Sequence, residues 1–102
     1  MTYNSVFTSL ADPTRRAVFE HLAKAPRSVG ALAQEMPVSR PAVSQHLKVL
    51  SDAGLVTVRA EGTRRIYAVS PEKLGELRHW LDRMWSDALQ AFAEAAEREN
   101  AR

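Results

Sequence analysis

Cysteine is absent from the 102-residue chain. That excludes disulfides, thiolate metal sites, thiol redox sensing and a cysteine nucleophile. No apolar run approaches the ~18 residues that span a bilayer, and the polar start Met1-Thr2-Tyr3-Asn4-Ser5 does not resemble a secretory signal. A cytoplasmic protein with no membrane partner is therefore expected. Glycine occurs only four times and forms no phosphate-cradling loop. The three histidines, His21, His46 and His79, are dispersed, and no serine sits in a recognisable Ser/His/Asp context. The chain is not expected to be an enzyme or to carry a cofactor.

What is present fits one globular domain over residues 1–102: 45% of the residues are hydrophobic and 25% charged. The formal net charge is only +2, but it is unevenly spread. Residues 13–70 hold nine Lys/Arg against four acids, a net of +5, whereas residues 71–102 hold five against seven, a net of −2. A basic body beside an acidic final segment implies one surface for a polyanion and another for a different partner.

Asp12-Pro13 is a strong helix start, since an Asp cap accepts from free backbone amides and proline loses no bond in the first turn. The helix it opens places Val18, Leu22 and Ala25 on one stripe, flanked by Ala17 and Phe19, and ends before Pro26. Ahead of it Tyr3, Val6, Phe7 and Leu10 recur as in a short amphipathic helix over residues 3–11. Ser28 can cap a short helix running to Glu35, with Val29, Leu32, Ala33 and Met36 inward. Pro37 interrupts the period, Ser39 caps the next helix with Pro41 in its first turn, and Gly54 closes it after Ala53. From Leu55 the period becomes two: Leu55 to Arg59 and Arg65 to Val69 read as strands around an Ala60 to Arg64 turn containing Gly62. Ser70-Pro71 then opens a helix over residues 71–99. The pattern is mainly α with a small β-hairpin, and its two middle helices form a helix-turn-helix candidate.

On a wheel of ~100° per residue, Val43, Leu47 and Leu50 share a narrow inward sector of the Ser39 to Ala53 helix. Pro41, Gln45, Lys48 and Asp52 lie opposite, Ser44 borders them, and Arg40 projects from the first turn. Any surface helix has a polar outer face, so position decides the weight of this one. It lies on the second helix of the pair, directly before a hairpin bearing Arg59, Arg64 and Arg65. Arg40, Ser44 and Gln45 carry the donors and acceptors that read base edges in the major groove. Lys48, Arg59, Arg64 and Arg65, with Ser39 and Thr63 beside them, are candidates for the DNA backbone.

The stretch from Val38 to Val56, headed by Ser39-Arg40-Pro41-Ala42-Val43-Ser44-Gln45-His46-Leu47 and ending in Gly54-Leu55-Val56, resembles the helix-turn-helix signature of the ArsR/SmtB family of transcriptional repressors. Leu10-Ala11-Asp12-Pro13-Thr14-Arg15-Arg16 and the wing end Gly62-Thr63-Arg64-Arg65-Ile66-Tyr67 extend the resemblance over nearly the whole chain. It implies a winged helix-turn-helix of order α-α-α-α-β-β-α, dimerised through its first and last helices and repressing by blocking double-stranded operator DNA. It also places Arg40, Pro41, Ser44 and Gln45 at base-facing positions. Proline departs from the polar residue often found there, so its contact would be steric or apolar. The family's metal motifs, one containing Cys on the helix that here reads Val29-Gly30-Ala31-Leu32-Ala33-Gln34-Glu35 and one Asp-x-His on the last helix, have no counterpart. A His79 and Asp82 pair remains, better read as surface residues, and the chain is placed with metal-independent members, some of which autoregulate.

The last helix carries Leu74, Leu77, Leu81, Met84, Trp85, Ala88, Leu89 and Phe92 on a long apolar stripe. A 28-residue helix spans ~40 Å, beyond the ~26 Å across a compact domain of this length, so part of the stripe must meet a second chain. Tyr3, Val6, Phe7 and Leu10 with Leu77, Leu81, Met84, Trp85, Leu89 and Phe92 form the candidate homodimer interface. Trp80 and Trp85 can alternatively be read as a ligand-binding pair, with packing favoured. Two other functions stay open: a winged-helix protein-interaction module, and a repressor with an atypical metal or small-molecule sensor. No inducer is legible.

Overall fold

The computed structural model describes residues 3–101; Met1 and Thr2 of the polar start, and Arg102, lie outside them. Five helices and one hairpin follow in the order α1 (Tyr3–Ala11), α2 (Pro13–Lys24), α3 (Val29–Glu35), α4 (Arg40–Asp52), β1 (Val56–Glu61), β2 (Arg64–Val69) and α5 (Pro71–Asn100). This is the expected α-α-α-α-β-β-α order of a winged helix-turn-helix.

Four helices open on the same chemistry. Asp12, Ser28, Ser39 and Ser70 each accept a hydrogen bond from the backbone amide three residues on, at 2.8, 3.2, 3.3 and 3.3 Å. Each bond satisfies an amide that the helix itself leaves free. The Arg15 amide, chiefly, holds the Asp12 carboxyl below its ordinary value, because it favours the charged form. Two helices stop for a common reason. Ala25 and Met36 are extended because proline follows each, and a residue before proline is forced out of helical angles. Ala25 is accordingly exposed, off the inward stripe that periodicity assigned to it, while Phe19, expected on the flank, is buried.

The end of α4 is a complete Schellman closure. Gly54 adopts φ +78°, its amide bonds the Ser51 carbonyl at 2.9 Å, and the Leu55 amide reaches the Leu50 carbonyl at 2.9 Å. Leu50 and Leu55, both fully buried, supply the apolar contact that accompanies this motif. They join Val6, Val18, Phe19, Leu22, Leu32, Met36, Val43 and Leu47 in one core shared by α1 to α4 and the foot of the hairpin. Each such aliphatic burial is worth ~1.5–3 kcal/mol, so the spacing of Val43, Leu47 and Leu50 fixes the rotation of α4 about its axis.

The strands are longer than the period suggested. β1 and β2 pair from Val56↔Val69 to Glu61↔Arg64, leaving only Gly62 and Thr63 in the turn. Gly62 takes φ +64° at the first central position, where a two-residue hairpin needs a left-handed residue. Ala60, Glu61 and Arg64, assigned by periodicity to the turn, are therefore paired strand residues, and Leu55 precedes the strand. The hairpin is tied down by Arg27, whose amide donates to the Tyr67 carbonyl at 3.0 Å and whose carbonyl accepts from the Tyr67 amide at 2.9 Å.

No described residue of α5 is buried. Its 30 residues span ~45 Å at 1.5 Å each, and the molecule extends 69 × 25 × 22 Å. The radius of gyration is 18.6 Å, against ~13 Å for a compact chain of this length. Its first turns touch the body through Leu77, half-buried on the core, and Trp80, whose ring centroid lies 5.7 Å from Tyr3 and 5.2 Å from Phe7. Among the described residues no helix is long and apolar enough to cross a membrane.

Candidate nucleic-acid interface

The inward anchors of α4 leave its opposite face to solvent. Ser39, Arg40, Pro41, Ser44, Gln45 and Lys48 are all exposed, whereas Val43, Leu47 and Leu50 have no accessible surface. The Ser39 hydroxyl is committed to the cap, where it accepts from the Ala42 amide. The side chains of Ser44 and Gln45 make no hydrogen bond to any described residue, so their polar groups are available. Beside them stands the hairpin, and the two candidate surfaces are continuous through the first turn of α4.

The cations of the basic body sort into two groups. Arg15 and Arg16 turn back onto α1: Arg15 donates to the Ser9 and Thr8 carbonyls, and Arg16 donates to the Leu10 carbonyl at 3.1 Å. These carbonyls close α1 and have no helical partner, so the two arginines serve as its C-terminal cap. Arg27 is bound to Glu35, which also lies 3.4 Å from His21 Nδ1. Apart from Lys24, exposed at the end of α2, the remaining cations lie on α4 and the hairpin. Lys48 is 3.2 Å from Asp52 and Arg59 is 3.3 Å from Glu61, both exposed pairs that water weakens. Arg64 donates to Ser28 Oγ at 3.3 Å. Arg40 and Arg65 have no ion pair among the described residues.

Arg40 does not lie along the Ser44–Gln45 face. Its guanidinium packs against α3, with Nη2 3.5 Å and Cζ 3.6 Å from where a Cβ on Gly30 would sit. There it joins Arg64, Arg65 and Thr63 around a cleft of about 510 Å³ whose other wall is Ser28 to Ala31 with Gln34. Strand alternation puts Arg59 and Arg64 on one face of the hairpin and Arg65 on the other. The hairpin arginines thus surround its tip and do not form a single row.

The candidate interface residues between copies divide as well. Val6 is 1% exposed within one chain and belongs to its own core, because α1 packs that edge on α2 and α4. It is corrected from interface to core. Leu10 and Leu77 are half-buried against the same core, and Tyr3 is half-buried beside Trp80. Phe7, Leu81, Met84, Trp85, Leu89 and Phe92 remain exposed, Phe92 by 75%. Trp80 and Trp85 do not pair: one packs on α1, the other lies on the free stripe. Trp80 was legible as an α1 contact, since it stands three residues after Leu77 on the same face.

Three features escaped sequence reasoning: the capping role of Arg15 and Arg16, the rotation of Arg40 toward α3, and the wall made by Ser28 and Gly30. For the first a signal existed, because two arginines just after an Asp-Pro cap fall beside the carbonyls of the helix that has just ended. No group of three or more His, Asp or Glu that could hold a metal occurs among the described residues. His79 is exposed on α5, and Asp82 leans toward Arg78 at 4.0 Å.

Comparison with known proteins agrees with this geometry. Residues 10–59 match a family described as a helix-turn-helix domain. The chain is 52% identical over 101 residues to the HTH-type transcriptional regulator Rv2034 of Mycobacterium tuberculosis, an alignment covering 96% of this chain and 94% of that protein. An ArsR-like transcriptional regulator from Rhodococcus sp. RHA1 superposes with a TM-score of 0.79 at 32% identity, covering 88% of this chain and 85% of the other. The homodimeric winged helix-turn-helix DNA-binding domain of Mb0332 from Mycobacterium bovis, a possible ArsR-family regulator, superposes with a TM-score of 0.67 at 29% identity over 84% of this chain and 80% of its own.

Proposed function

The chain belongs to the ArsR/SmtB family of winged helix-turn-helix transcriptional regulators, and from that membership we propose that it is a homodimeric repressor that recognises an inverted-repeat operator through α4. The observation that carries this reading is the face of α4 on which Pro41, Ser44, Gln45 and Lys48 stand exposed while Val43, Leu47 and Leu50 hold the helix to the core. Its first three turns are polar around Ser44, Gln45 and Lys48, and the exposed large apolar side chain of the helix, Val49 at 39%, lies at its α1 edge. Gln45 can pair with adenine N6 and N7, Ser44 with either an acceptor or a donor, and Pro41 offers an apolar contact. Lys48, Arg59, Thr63, Arg64 and Arg65 flank it as phosphate contacts, with Ser39 at the helix entrance. Lys48 and Arg59 release their carboxylates for phosphate at small cost, because exposed ion pairs are weak.

A second copy completes the mechanism. Phe7 and the stripe from Leu81 to Phe92 are apolar, exposed and continuous, the features of a self-complementary two-fold interface. Residues 3–11 and 71–99 then serve as dimerisation helices. The related domain described as homodimeric supports association of two copies. Two-fold symmetry presents two α4 helices to successive major grooves, so half-sites lie ~10 bp apart or a multiple of that. Bound at a promoter, such a dimer excludes polymerase by occupancy, its own promoter included.

The test is selection of duplexes from a random pool, followed by salt titration of the best binder with zinc and with chelator in parallel. A palindromic consensus is expected, with affinity falling ~10³- to 10⁵-fold between 50 and 200 mM salt for six to ten phosphate contacts. The chain lacks cysteine and the family's metal motifs, so zinc and chelator are expected to leave the titration unchanged. Recovery of no consensus would reject the proposal in favour of a protein-interaction module. Release by zinc would establish an atypical sensor site.

A further inference from the structure

We infer that the cleft between α3, the first turn of α4 and the hairpin tip seats one phosphodiester of the DNA backbone, with Arg40 acting there as a clamp on phosphate and not as a base reader. The inference rests on the DNA-binding reading above and deepens it.

Three arginines border this cleft from two separate elements, Arg40 from α4 and Arg64 and Arg65 from opposite faces of β2, and the guanidinium groups of Arg40 and Arg64 lie against its Ser28–Gly30 wall. None of the residues lining it is acidic. Elsewhere on the same surface Lys48 and Arg59 have carboxylate neighbours, so the lack of one here singles the cleft out. Cations gathered around one space without a counter-charge repel one another, and an anion between them removes that cost. Arginine is suited to the task, because its planar fork matches two phosphate oxygens at once.

Two neighbours hold the guanidinium groups in place. Ser28 Oγ accepts from Arg64 Nη2 at 3.3 Å. Gly30 leaves open the space into which Arg40 leans: a Cβ there would already be in van der Waals contact with its Nη2, at 3.5 Å, and any longer side chain would occupy the guanidinium's position. The chosen source is DNA and not a free anion because the cleft adjoins the reading face. Arg40 lies one helical turn before Ser44, so a strand passing over the cleft continues onto the exposed face of α4. The volume of about 510 Å³ admits a phosphodiester with attendant water.

The experiment measures binding to two probes by fluorescence anisotropy: the duplex that wild-type protein selects from a random pool, and a shuffled duplex of equal composition. Arg40→Ala is expected to weaken both by one common factor, about ten-fold at 50 mM salt for a lost charge-assisted contact. Loss of one phosphate contact lowers the salt slope by ~0.9, so the wild-type advantage shrinks about 3.5-fold between 50 and 200 mM salt. Gly30→Glu, which sets a carboxylate against Arg40, is expected to behave alike, and Arg40→Lys to restore most of the slope. Circular dichroism reports whether each variant is folded, and Arg40→Lys carries the test should another fail to fold. A loss confined to the selected duplex would make Arg40 a base reader, and no loss on either would leave no seat; both overturn the inference. In a third arm inorganic phosphate replaces chloride at constant ionic strength. Only millimolar competition is expected, whereas sub-millimolar, Arg40-dependent phosphate binding without DNA would assign the cleft to a free anion. Failure of wild-type protein to bind either duplex would instead sink the DNA-binding reading itself.

Discussion

Replacing Trp85 by alanine is expected to separate the dimer without unfolding the protomer. Trp85 lies on the free stripe of α5 and is 65% exposed in the single chain. A Trp of ~250 Å² therefore offers roughly 160 Å², which at ~25 cal/mol/Å² corresponds to ~4 kcal/mol if a partner covered all of it. Coverage of half gives ~2 kcal/mol per protomer. Two-fold symmetry counts the residue twice, so the dimer loses ~4 kcal/mol and its dissociation constant rises about a thousand-fold. Sedimentation equilibrium reads that shift directly. The core from Val6 to Val56 includes no residue of α5, so helix content by circular dichroism should be preserved. A variant that dimerises like the wild type would refute the assignment of this stripe to the interface. So would a variant that loses its helix content, since Trp85 would then be holding the protomer together.

Two further perturbations address the framework that presents α4. Gly54→Ala and Gly62→Ala both force a side chain into left-handed backbone, at φ +78° and +64°, and each should cost ~1–2 kcal/mol in urea denaturation. Gly54→Ala should cost the more of the two, because its new Cβ would sit 2.8 Å from Lys73 Cε while the Gly62 site is open; equal costs would mean that Lys73 simply moves aside. Asp12 has a lowered pKa, held down first by the Arg15 amide, so its contribution is present above its unfolded pKa and is lost as pH falls through the lower folded value. Asp12→Asn should accordingly flatten the fall of urea midpoint with pH below about pH 4, and an unchanged acid limb would show that the cap does not depend on the charge of the Asp12 carboxylate.

How much of this was legible in the sequence depended on whether the signal was local. The bounds of α4 could be read because Ser39, Pro41 and Gly54 act within one turn of themselves, and its rotation because Val43, Leu47 and Leu50 repeat with the helical period. Ala25 was misplaced because periodicity was carried past the point where Pro26 dictates an extended backbone. Val6 could not be distinguished from its neighbours Phe7 and Leu10, since an amphipathic face looks alike whether it meets its own core or another chain. The strands were cut short for a related reason: Glu61 and Arg64 pair through their backbones, and their polar side chains conceal it. Least visible was Arg40. Its direction depends on a glycine ten residues earlier on another helix, a contact that no local pattern encodes. The polar face of α4 was thus readable as a face, but the turning of Arg40 away from it required three dimensions.

The central claim is that Ser44 and Gln45 on the exposed face of α4 read sequence. Its most direct test is the affinity of wild-type protein and of Gln45→Ala for the selected duplex and for every single base-pair variant of one half-site. Wild-type protein is expected to lose ~1–3 kcal/mol at each position it reads, and Gln45→Ala to erase the preference at one position while keeping the others. An unchanged preference at every position, or a uniform loss across all of them, would contradict it.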